Sequence, residues 1–429
     1  MVDVSKIKKY LSSTVAQNAA SLYLIHFANY LLPLITVPYV VRVLTPFGYG
    51  LVSFGQSFIG YFSIFIDFGF NLSATRRISV SRYDQGEIRR IVFSVWAAKL
   101  LLFMLGFIIL LLLINLVPTL MENTNLLLVL YTATLGQVLF PTWLFQGLER
   151  MVYISVINLS IRVLVVVGIF ALIKQPEDYL LYAGLNSFGS ILAGVVGGIW
   201  AFRLASLQLL IPTFGEIWET LKEGWLLFLS RASVSLYTVG NAFILGMLTN
   251  PTVVGYYSAG EKIVKSLIGL LGPMAQAAYP RFAKIAADSK SLALYWSRLM
   301  IFIMGGIGLS ISILLFIGAP IIVNIIFGPK FISSIAVIKV MSLIPFLVAV
   351  GNVFCIQILL PFKKDKPYVV ILFSAGIINI ILAFSLTPYF MEVGMATASL
   401  ISELFVTLSM IIVTYSYNLI PFTNVFGKA

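Results

Sequence analysis

The sequence is poor in the residues on which most soluble proteins and metalloenzymes depend. It has one cysteine, Cys355, and one histidine, His26, among 429 residues. A single cysteine excludes a disulfide framework or a site of several cysteine ligands, and a single histidine excludes a histidine-rich metal site. Charged residues make up only 10% of the chain, whereas soluble domains carry roughly a quarter. So few charges cannot cover a surface that faces water on all sides.

Apolar residues take the place of the missing charges. They make up 60% of the chain, and the mean hydropathy is +1.02. About 20 apolar residues are enough for a helix to cross a bilayer, and the apolar runs between proline, glycine, asparagine and charged residues predict twelve membrane spans. These lie near residues 15–41, 49–72, 91–116, 125–147, 153–173, 179–202, 224–248, 254–278, 296–318, 334–360, 368–387 and 393–416.

The basic residues between the predicted spans indicate the orientation. With a cytoplasmic N-terminus, 19 lysines and arginines lie in cytoplasmic connections and only three, Arg42, Lys174 and Lys330, in the opposite ones. Cytoplasmic loops carry such an excess, so both termini are predicted to be cytoplasmic. A nucleic-acid partner is not expected from the net charge of +12, because that interpretation needs a basic surface on a soluble fold.

A short motif occurs twice, 205 residues apart. GLVSFGQ begins at Gly50 and GYYSAGE begins at Gly255, so both fit G-x-x-S-x-G-[Q/E] at the start of a predicted span. Because six spans separate the two copies, both halves enter the membrane in the same direction, and a cavity is expected between them. We therefore predict an all-α integral membrane protein of about twelve transmembrane helices in two six-helix lobes with a central cleft. The predicted bounds are 1–204 and 224–429 for the lobes and 205–223 for a cytoplasmic linker.

Charged residues inside the predicted spans are the main functional signal. There are six basic residues and three acidic ones, and each costs at least ~2.5–3.5 kcal/mol at the centre of a membrane helix. They are Lys99, Arg162, Arg231, Lys262, Lys265, Lys339, Asp67, Glu261 and Glu403. One interpretation is internal salt bridges, for which Glu261 and Lys265 have the i,i+4 spacing. Pairing would still leave an excess of about three cations, which favours an anionic ligand.

Neutral polar residues follow the helical period in the same spans. Ser53 and Gln56 share one face of the second span with Asp67, and Asn241 follows Arg231 in the seventh. Lipid disfavours such faces, so we expect them at a protein interface or a watery cleft. No P-loop, D-x-D or H-E-x-x-H motif is present, and we expect no cofactor, no metal and no direct use of ATP.

One segment resembles a known family. The sequence PTWLFQGLERM at 141–151 is similar to the end of the fourth helix of bacterial O-antigen and polysaccharide flippases, which belong to the multidrug/oligosaccharidyl-lipid/polysaccharide exporter superfamily. NYLLPLIT at 29–36, DFGFNLSAT at 67–75 and AYPR at 278–281 resemble that family too. The likeness covers essentially the whole chain and is weak only for the identity of the glycan.

The resemblance implies a transporter and not an enzyme. Its cargo would be an oligosaccharide repeat unit on undecaprenyl diphosphate, moved by alternating access from the cytoplasmic to the periplasmic leaflet of the bacterial inner membrane. The implied partners are this lipid-linked glycan, membrane lipid, a proton or sodium ion, and glycan polymerase and chain-length regulator proteins.

The residues singled out above are then candidates for two roles. Candidates for substrate binding are Arg231, Lys262, Lys265, Arg162, Lys99, Gln56, Ser53 and Asn241, and candidates for ion coupling are Asp67, Glu261 and Glu403. Two alternatives stay open. A cation-coupled multidrug exporter of the same superfamily would be expected to favour intramembrane acids over bases. A membrane-embedded glycan polymerase or acyltransferase would need a large periplasmic loop or several catalytic histidines.

Overall fold

A computed structural model describes residues 4–205 and 208–422, and most side chains from Ile35 onward. The predicted cytoplasmic ends of the chain, 1–3 and 423–429, lie outside the described residues. Every regular element in the described part is helical. The α-helices are α1 Val4–Asp67, α2 Phe70–Val80, α3 Gln85–Leu116, α4 Pro118–Met121, α5 Thr124–Leu139, α6 Thr142–Gly147, α7 Met151–Leu172, α8 Tyr179–Leu204, α9 Phe214–Thr238, α10 Asn241–Leu248, α11 Pro251–Ile268, α12 Gly272–Asp288, α13 Lys290–Ile322, α14 Ser334–Met341, α15 Ile344–Asn352 and α16 Asp365–Ser416.

Eight helical segments in the described part of the chain are long and apolar enough to cross a membrane, so the protein is a multi-pass membrane protein. The predicted number of twelve stays a prediction. The seventh and eighth predicted spans are broken, since α9 ends at Thr238 and α11 ends at Ile268. The last two predicted spans are joined in α16, which bends at Met391 (φ 48°).

The chain divides into two compact units. The N-terminal unit comprises Met1–Thr36 and Gly55–Ala232, and the C-terminal unit comprises Val37–Phe54 and Ser233–Ala429. The predicted lobe bounds at 204 and 224 stay a prediction. The helix α9 runs from Phe214 to Thr238 and therefore begins within the predicted linker.

The two copies of the repeated motif contact each other at their first glycines, Gly50 and Gly255, and both glycines lie in the C-terminal unit. A Cβ atom at Gly50 would lie 1.7 Å from the carbonyl oxygen of Pro251, and a Cβ at Gly255 would lie 2.0 Å from the carbonyl oxygen of Pro46. The contact is reciprocal, because Pro46 and Pro251 are also 205 residues apart. Only glycine allows so close a backbone approach, which gives the repeated glycines a packing role and accounts for the placement of residues 37–54.

The segment 141–151, which carries the family resemblance, is a packing element of the N-terminal unit. Pro141 separates α5 from α6, and Trp143 and Phe145 on α6 are completely buried. A Cβ at Gly147 would lie 2.6 Å from Ile78 Cγ2, so α6 packs closely on α2. The close packing of α6 on α2 therefore accounts for the glycine at position 147, and the burial of Trp143 and Phe145 accounts for their large apolar side chains.

An ion pair closes the end of this segment outside the membrane spans. Arg82 Nη2 lies 2.8 Å from Glu149 Oε1 and 3.3 Å from the carbonyl oxygen of Gly147, to which it donates. The hydrogen bond from Arg82 holds the pKa of Glu149 below its ordinary value.

Candidate functional site

The N-terminal unit contains a cavity of about 640 Å³. Its lining residues come from the end of α1, from α2, α3, α5, α7, α8 and α9, from the first residue of α6, and from Phe140 between α5 and α6. Most of the polar ones are charged or carry amides: Asp67, Lys99, Arg162, Arg231, Asn71, Gln137, Asn158 and Asn186. In a chain with 10% charged residues, this concentration marks the cavity as the candidate site.

Asp67 is the centre of a charged cluster on the cavity wall. One carboxylate oxygen, Oδ2, pairs with the Arg231 guanidinium. The other, Oδ1, lies 3.7 Å from Lys99 Nζ and accepts a 2.6 Å hydrogen bond from Asn71 Nδ2. The Lys99 side chain is only 3% exposed, whereas that of Arg231 is 47% exposed. Arg231 is therefore the more accessible of the two cations.

The sequence DFGFN at 67–71 explains how these residues meet. The chain turns sharply after Asp67, because Phe68 and Gly69 have positive φ angles of 44° and 79°. A Cβ at Gly69 would lie 2.6 Å from Leu227 Cβ, so α9 passes directly over the turn. Since Arg231 follows Leu227 by one helical turn, this contact brings its guanidinium to the carboxylate of Asp67.

A second part of the lining is formed by α7 and α8. Asn158 and Arg162 are spaced i,i+4 on α7, and Asn186 and Ser190 are spaced i,i+4 on α8. The amide nitrogens of Asn158 and Asn186 each donate to the carbonyl four residues earlier, both at 2.8 Å. This leaves the amide oxygens as acceptors of the type that sugar hydroxyl groups bind. We refer to these four residues as the polar wall.

The cavity carries a net positive charge. Its lining includes three cations, Lys99, Arg162 and Arg231, and one carboxylate, Asp67. The formal balance of two positive charges favours an anionic ligand, and phosphate is a group that arginine and lysine bind well.

Four of the predicted site residues are thus gathered in one cavity: Asp67, Lys99, Arg162 and Arg231. Gln56 also belongs to the N-terminal unit, but it does not line this cavity. The other predicted site residues belong to the C-terminal unit: Ser53, Asn241, Glu261, Lys262, Lys265 and Glu403. The structure therefore groups the predicted residues by unit, and their roles stay predictions.

In the C-terminal unit, the pair expected from i,i+4 spacing is formed. Lys265 Nζ lies 2.9 Å from Glu261 Oε1 and donates to the Thr238 carbonyl oxygen at 3.0 Å. The Tyr257 hydroxyl donates to Glu261 at 3.0 Å, and the amide of Asn241 donates to that hydroxyl at 3.2 Å. These residues form a continuous hydrogen-bonded network, in which Tyr257 and Asn241 are buried.

Two further predicted residues belong to the C-terminal unit. Lys262 is exposed, and Glu403 is half-buried on α16.

The amides that line the cavity were not among the residues predicted from the sequence. Asn71, Asn158 and Asn186 line it, yet they carry no charge, and a neutral amide costs too little in a membrane helix to stand out. Their spacing was the available signal. Asn158 precedes Arg162 by four residues on α7, so it shares a helical face with a charge already selected. Asn71 follows Asp67 by four residues, but the turn at Phe68 and Gly69 separates α1 from α2, so the two residues do not lie on one helix.

The sequence matches one protein family and is similar to transporters of two bacteria. The family described as "Polysaccharide biosynthesis protein" matches residues 15–286. A protein of Escherichia coli (strain K12) named "Putative O-antigen transporter" is 30% identical over 394 residues, which are 92% of this chain and 95% of that protein. A protein of the same name from Shigella dysenteriae is 30% identical over 404 residues, covering 92% of this chain and 98% of that protein.

Solved structures give the fold. "Lipid II flippase MurJ, inward closed conformation" has a TM-score of 0.74 at 15% identity and covers 95% of this chain and 89% of its own. "Inward-facing conformation of a multidrug resistance MATE family transporter of the MOP superfamily" has a TM-score of 0.69 at 13% identity and covers 90% and 95%. At such identities the likeness concerns the fold alone, and the predicted all-helical membrane fold is confirmed. The predicted cleft between the lobes stays a prediction.

Proposed function

The chain belongs to the family of polysaccharide biosynthesis proteins, and on that premise we propose that it is a flippase for an undecaprenyl-diphosphate-linked oligosaccharide. The resemblance to the O-antigen flippases and their exporter superfamily is thereby confirmed. The protein is a transporter rather than an enzyme, as its relatives are. The alternatives of a glycan polymerase and an acyltransferase are therefore set aside.

The observation that carries the proposal is the cationic cavity of the N-terminal unit. A glycan on a lipid diphosphate has an anionic group, which cannot enter hydrocarbon without compensation, and a hydroxyl-rich group. The cavity offers a partner for each, because Lys99, Arg162 and Arg231 suit the phosphates and the amides of the polar wall suit the sugar. The cargo moves from the cytoplasmic to the periplasmic leaflet by alternating access.

The charge distribution along the chain supports a location and a direction. The excess of lysine and arginine on one side of the predicted spans favours cytoplasmic termini, and a lipid-linked precursor made in the cytoplasm requires the bacterial inner membrane. Coupling to a proton or sodium gradient through Asp67, Glu261 or Glu403 is part of the proposal. A flipping rate that responds to neither gradient contradicts this part.

Reconstitution tests the proposal directly. The protein is inserted in proteoliposomes with a fluorescent undecaprenyl-diphosphate-linked oligosaccharide, and transfer between leaflets is followed by loss of accessibility to a membrane-impermeant reagent. Wild type and the control variant Lys222→Ala, which alters an exposed cation on the same helix as Arg231, are expected to flip the lipid at equal rates. Arg162→Ala is expected to slow flipping about tenfold or more.

A genetic experiment gives an independent answer. Deletion of the gene is expected to leave the lipid-linked repeat unit in the cytoplasmic leaflet. Accumulation in the periplasmic leaflet contradicts the proposal, because it places the block after translocation.

The remaining alternative is a cation-coupled multidrug exporter, whose fold this chain shares. A cavity with three cations and one carboxylate disfavours cationic drugs. A deletion strain that becomes sensitive to a panel of cationic drugs, while its surface glycan stays intact, would favour the exporter.

A further inference from the structure

We infer that Asp67 is an internal competitor of the cargo: its carboxylate holds the cations of the empty cavity, and the phosphates of the cargo displace it. The inference rests on the proposed function and deepens it, since it assigns a role to an acidic residue in a site for anions. A carboxylate and a phosphate accept hydrogen bonds from the same arginine and lysine donors, so the two anions can exchange at one position.

The contacts of Asp67 are those of a bridging anion. Its two oxygens serve different cations, Oδ2 pairing with Arg231 and Oδ1 lying 3.7 Å from Lys99 Nζ. A carboxylate that only neutralised one buried charge would need one partner. Asp67 contacts two cations on separate helices, Lys99 on α3 and Arg231 on α9. A ligand with several anionic oxygens would make the same pair of contacts.

The two cations differ in how accessible they are to an incoming phosphate. The Arg231 side chain is 47% exposed, so it can meet an incoming anion directly. Lys99 is only 3% exposed, and its Nζ lies beside the carboxylate of Asp67. Lys99 Nζ also donates to the Gln137 carbonyl oxygen at 3.5 Å, so a phosphate that binds Lys99 takes a place now held by the Asp67 carboxylate and this carbonyl.

Asn71 allows the carboxylate to move without losing every donor. Its amide nitrogen donates to Asp67 Oδ1 at 2.6 Å, and it stands on the first turn of α2, next to the sharp turn at Phe68 and Gly69. Asp67 can thus release the cations and still keep one hydrogen bond. When the cargo leaves, the carboxylate returns to the cations, which lowers the cost of release.

This arrangement meets a general requirement of transport. A site must bind its cargo well enough to load it and weakly enough to release it on the other side. An internal carboxylate lowers the affinity for the cargo in both states, and it weakens the binding of free phosphate in the same way.

The test uses the variant Asp67→Asn and two diphosphate probes. The full-length protein in nanodiscs is titrated with inorganic pyrophosphate and with farnesyl diphosphate, and the dissociation constants are measured by calorimetry. Removal of the competing carboxylate is expected to tighten binding of both probes about tenfold and to slow flipping of the lipid-linked glycan. Damage to the fold does not produce tighter binding, so the gain in affinity separates this role from a merely structural one.

Two controls identify the cause of any gain. Glu177→Gln removes the same charge from an exposed position of the N-terminal unit outside the cavity, and it is expected to leave the affinity unchanged. Adding Arg231→Ala to Asp67→Asn is expected to cancel most of the gain, because the cation released by the first substitution is absent.

The possible failures are distinguishable. If wild type binds both probes, Arg231→Ala weakens binding and Asp67→Asn leaves the affinity unchanged, the inference is wrong and the anion site of the proposed function stands. If neither wild type nor Asp67→Asn binds either probe, the anion site itself is refuted, and the inference with it.

Discussion

The two units hold their intramembrane charges in different ways. In the N-terminal unit, the carboxylate of Asp67 forms ion pairs with both Lys99 and Arg231, and the three side chains line a cavity. In the C-terminal unit, Glu261 pairs with Lys265, and its hydroxyl donor is the buried Tyr257. The first cluster has more cations than carboxylates beside open space, whereas the second is balanced and hydrogen-bonded. On the number of cations per carboxylate and the open space beside them, we propose a ligand-binding role for the first cluster and a structural role for the second.

The largest effect is expected at the exposed cation of the N-terminal cluster. Arg231→Ala should reduce glycan export roughly a hundredfold, because it removes a charge-assisted partner of the cargo and leaves Asp67 in contact with Lys99 and Asn71. Arg231→Lys should restore part of the activity, since it keeps the charge but loses the bidentate geometry. Export is measured as surface glycan and normalised to the amount of protein in the membrane. Normal export by the alanine variant would remove the N-terminal cluster from the cargo site.

The next largest effect tests the balanced pair of the C-terminal unit. Lys265→Ala leaves Glu261 without its ion-pair partner, and we expect a loss of both thermal stability and export. The double variant Glu261→Gln, Lys265→Met restores balance, and it should recover most of the stability. If export recovers with stability, the pair serves structure. If stability recovers and export does not, Glu261 or Lys265 has a role in transport itself, and the contrast between the units is weaker than proposed.

A smaller effect is expected from the polar wall. Asn158→Leu removes an amide oxygen from the cavity, and the flipping rate should fall about fivefold to tenfold if that oxygen accepts a sugar hydroxyl. Asn115→Leu is the matched control. Asn115 also donates to the carbonyl four residues earlier at 2.8 Å, but it does not line the cavity. If Asn158→Leu and Asn115→Leu flip the lipid at equal rates, the amide of Asn158 does not bind the sugar and the polar wall has a structural role.

The smallest effect concerns an ion pair outside the membrane spans. Hydrogen bonding from Arg82 lowers the pKa of Glu149 below its ordinary value of 4.5, so the pair stabilises the fold above that pH. The contribution is lost as the pH falls through the lower pKa of the folded state. Because Glu149 is 55% exposed, the melting temperature should change by only about 1–2 °C.

Glu149→Gln isolates this contribution. Its melting temperature should lie below that of wild type at pH 7, and the two should converge toward pH 3. A constant difference between the two proteins across that range would contradict the assignment.

The charges of the site could be predicted from the sequence, but their grouping in one cavity could not. Asp67, Lys99, Arg162 and Arg231 stand out in the sequence because a charge in an apolar span is costly. Their assembly could not be predicted, since Asp67 and Arg231 are 164 residues apart and meet only through the packing of α9 over Gly69. The same limit applies to the spans, where local hydropathy does not indicate the breaks after Thr238 and Ile268 that follow from backbone geometry.

The reciprocal glycine contact has a consequence for how the chain can be cut. Residues 37–54 belong to the first repeat in sequence, but they pack within the C-terminal unit. There Gly50 contacts the carbonyl group of Pro251, and Gly255 contacts that of Pro46. The protein can be produced in one cell as two polypeptides, divided between residues 208 and 213. Residues 37–54 of the N-terminal polypeptide would then hold the two together by non-covalent contacts with the C-terminal polypeptide. Such fragments are expected to co-purify, and a bulky residue at either glycine is expected to abolish their association.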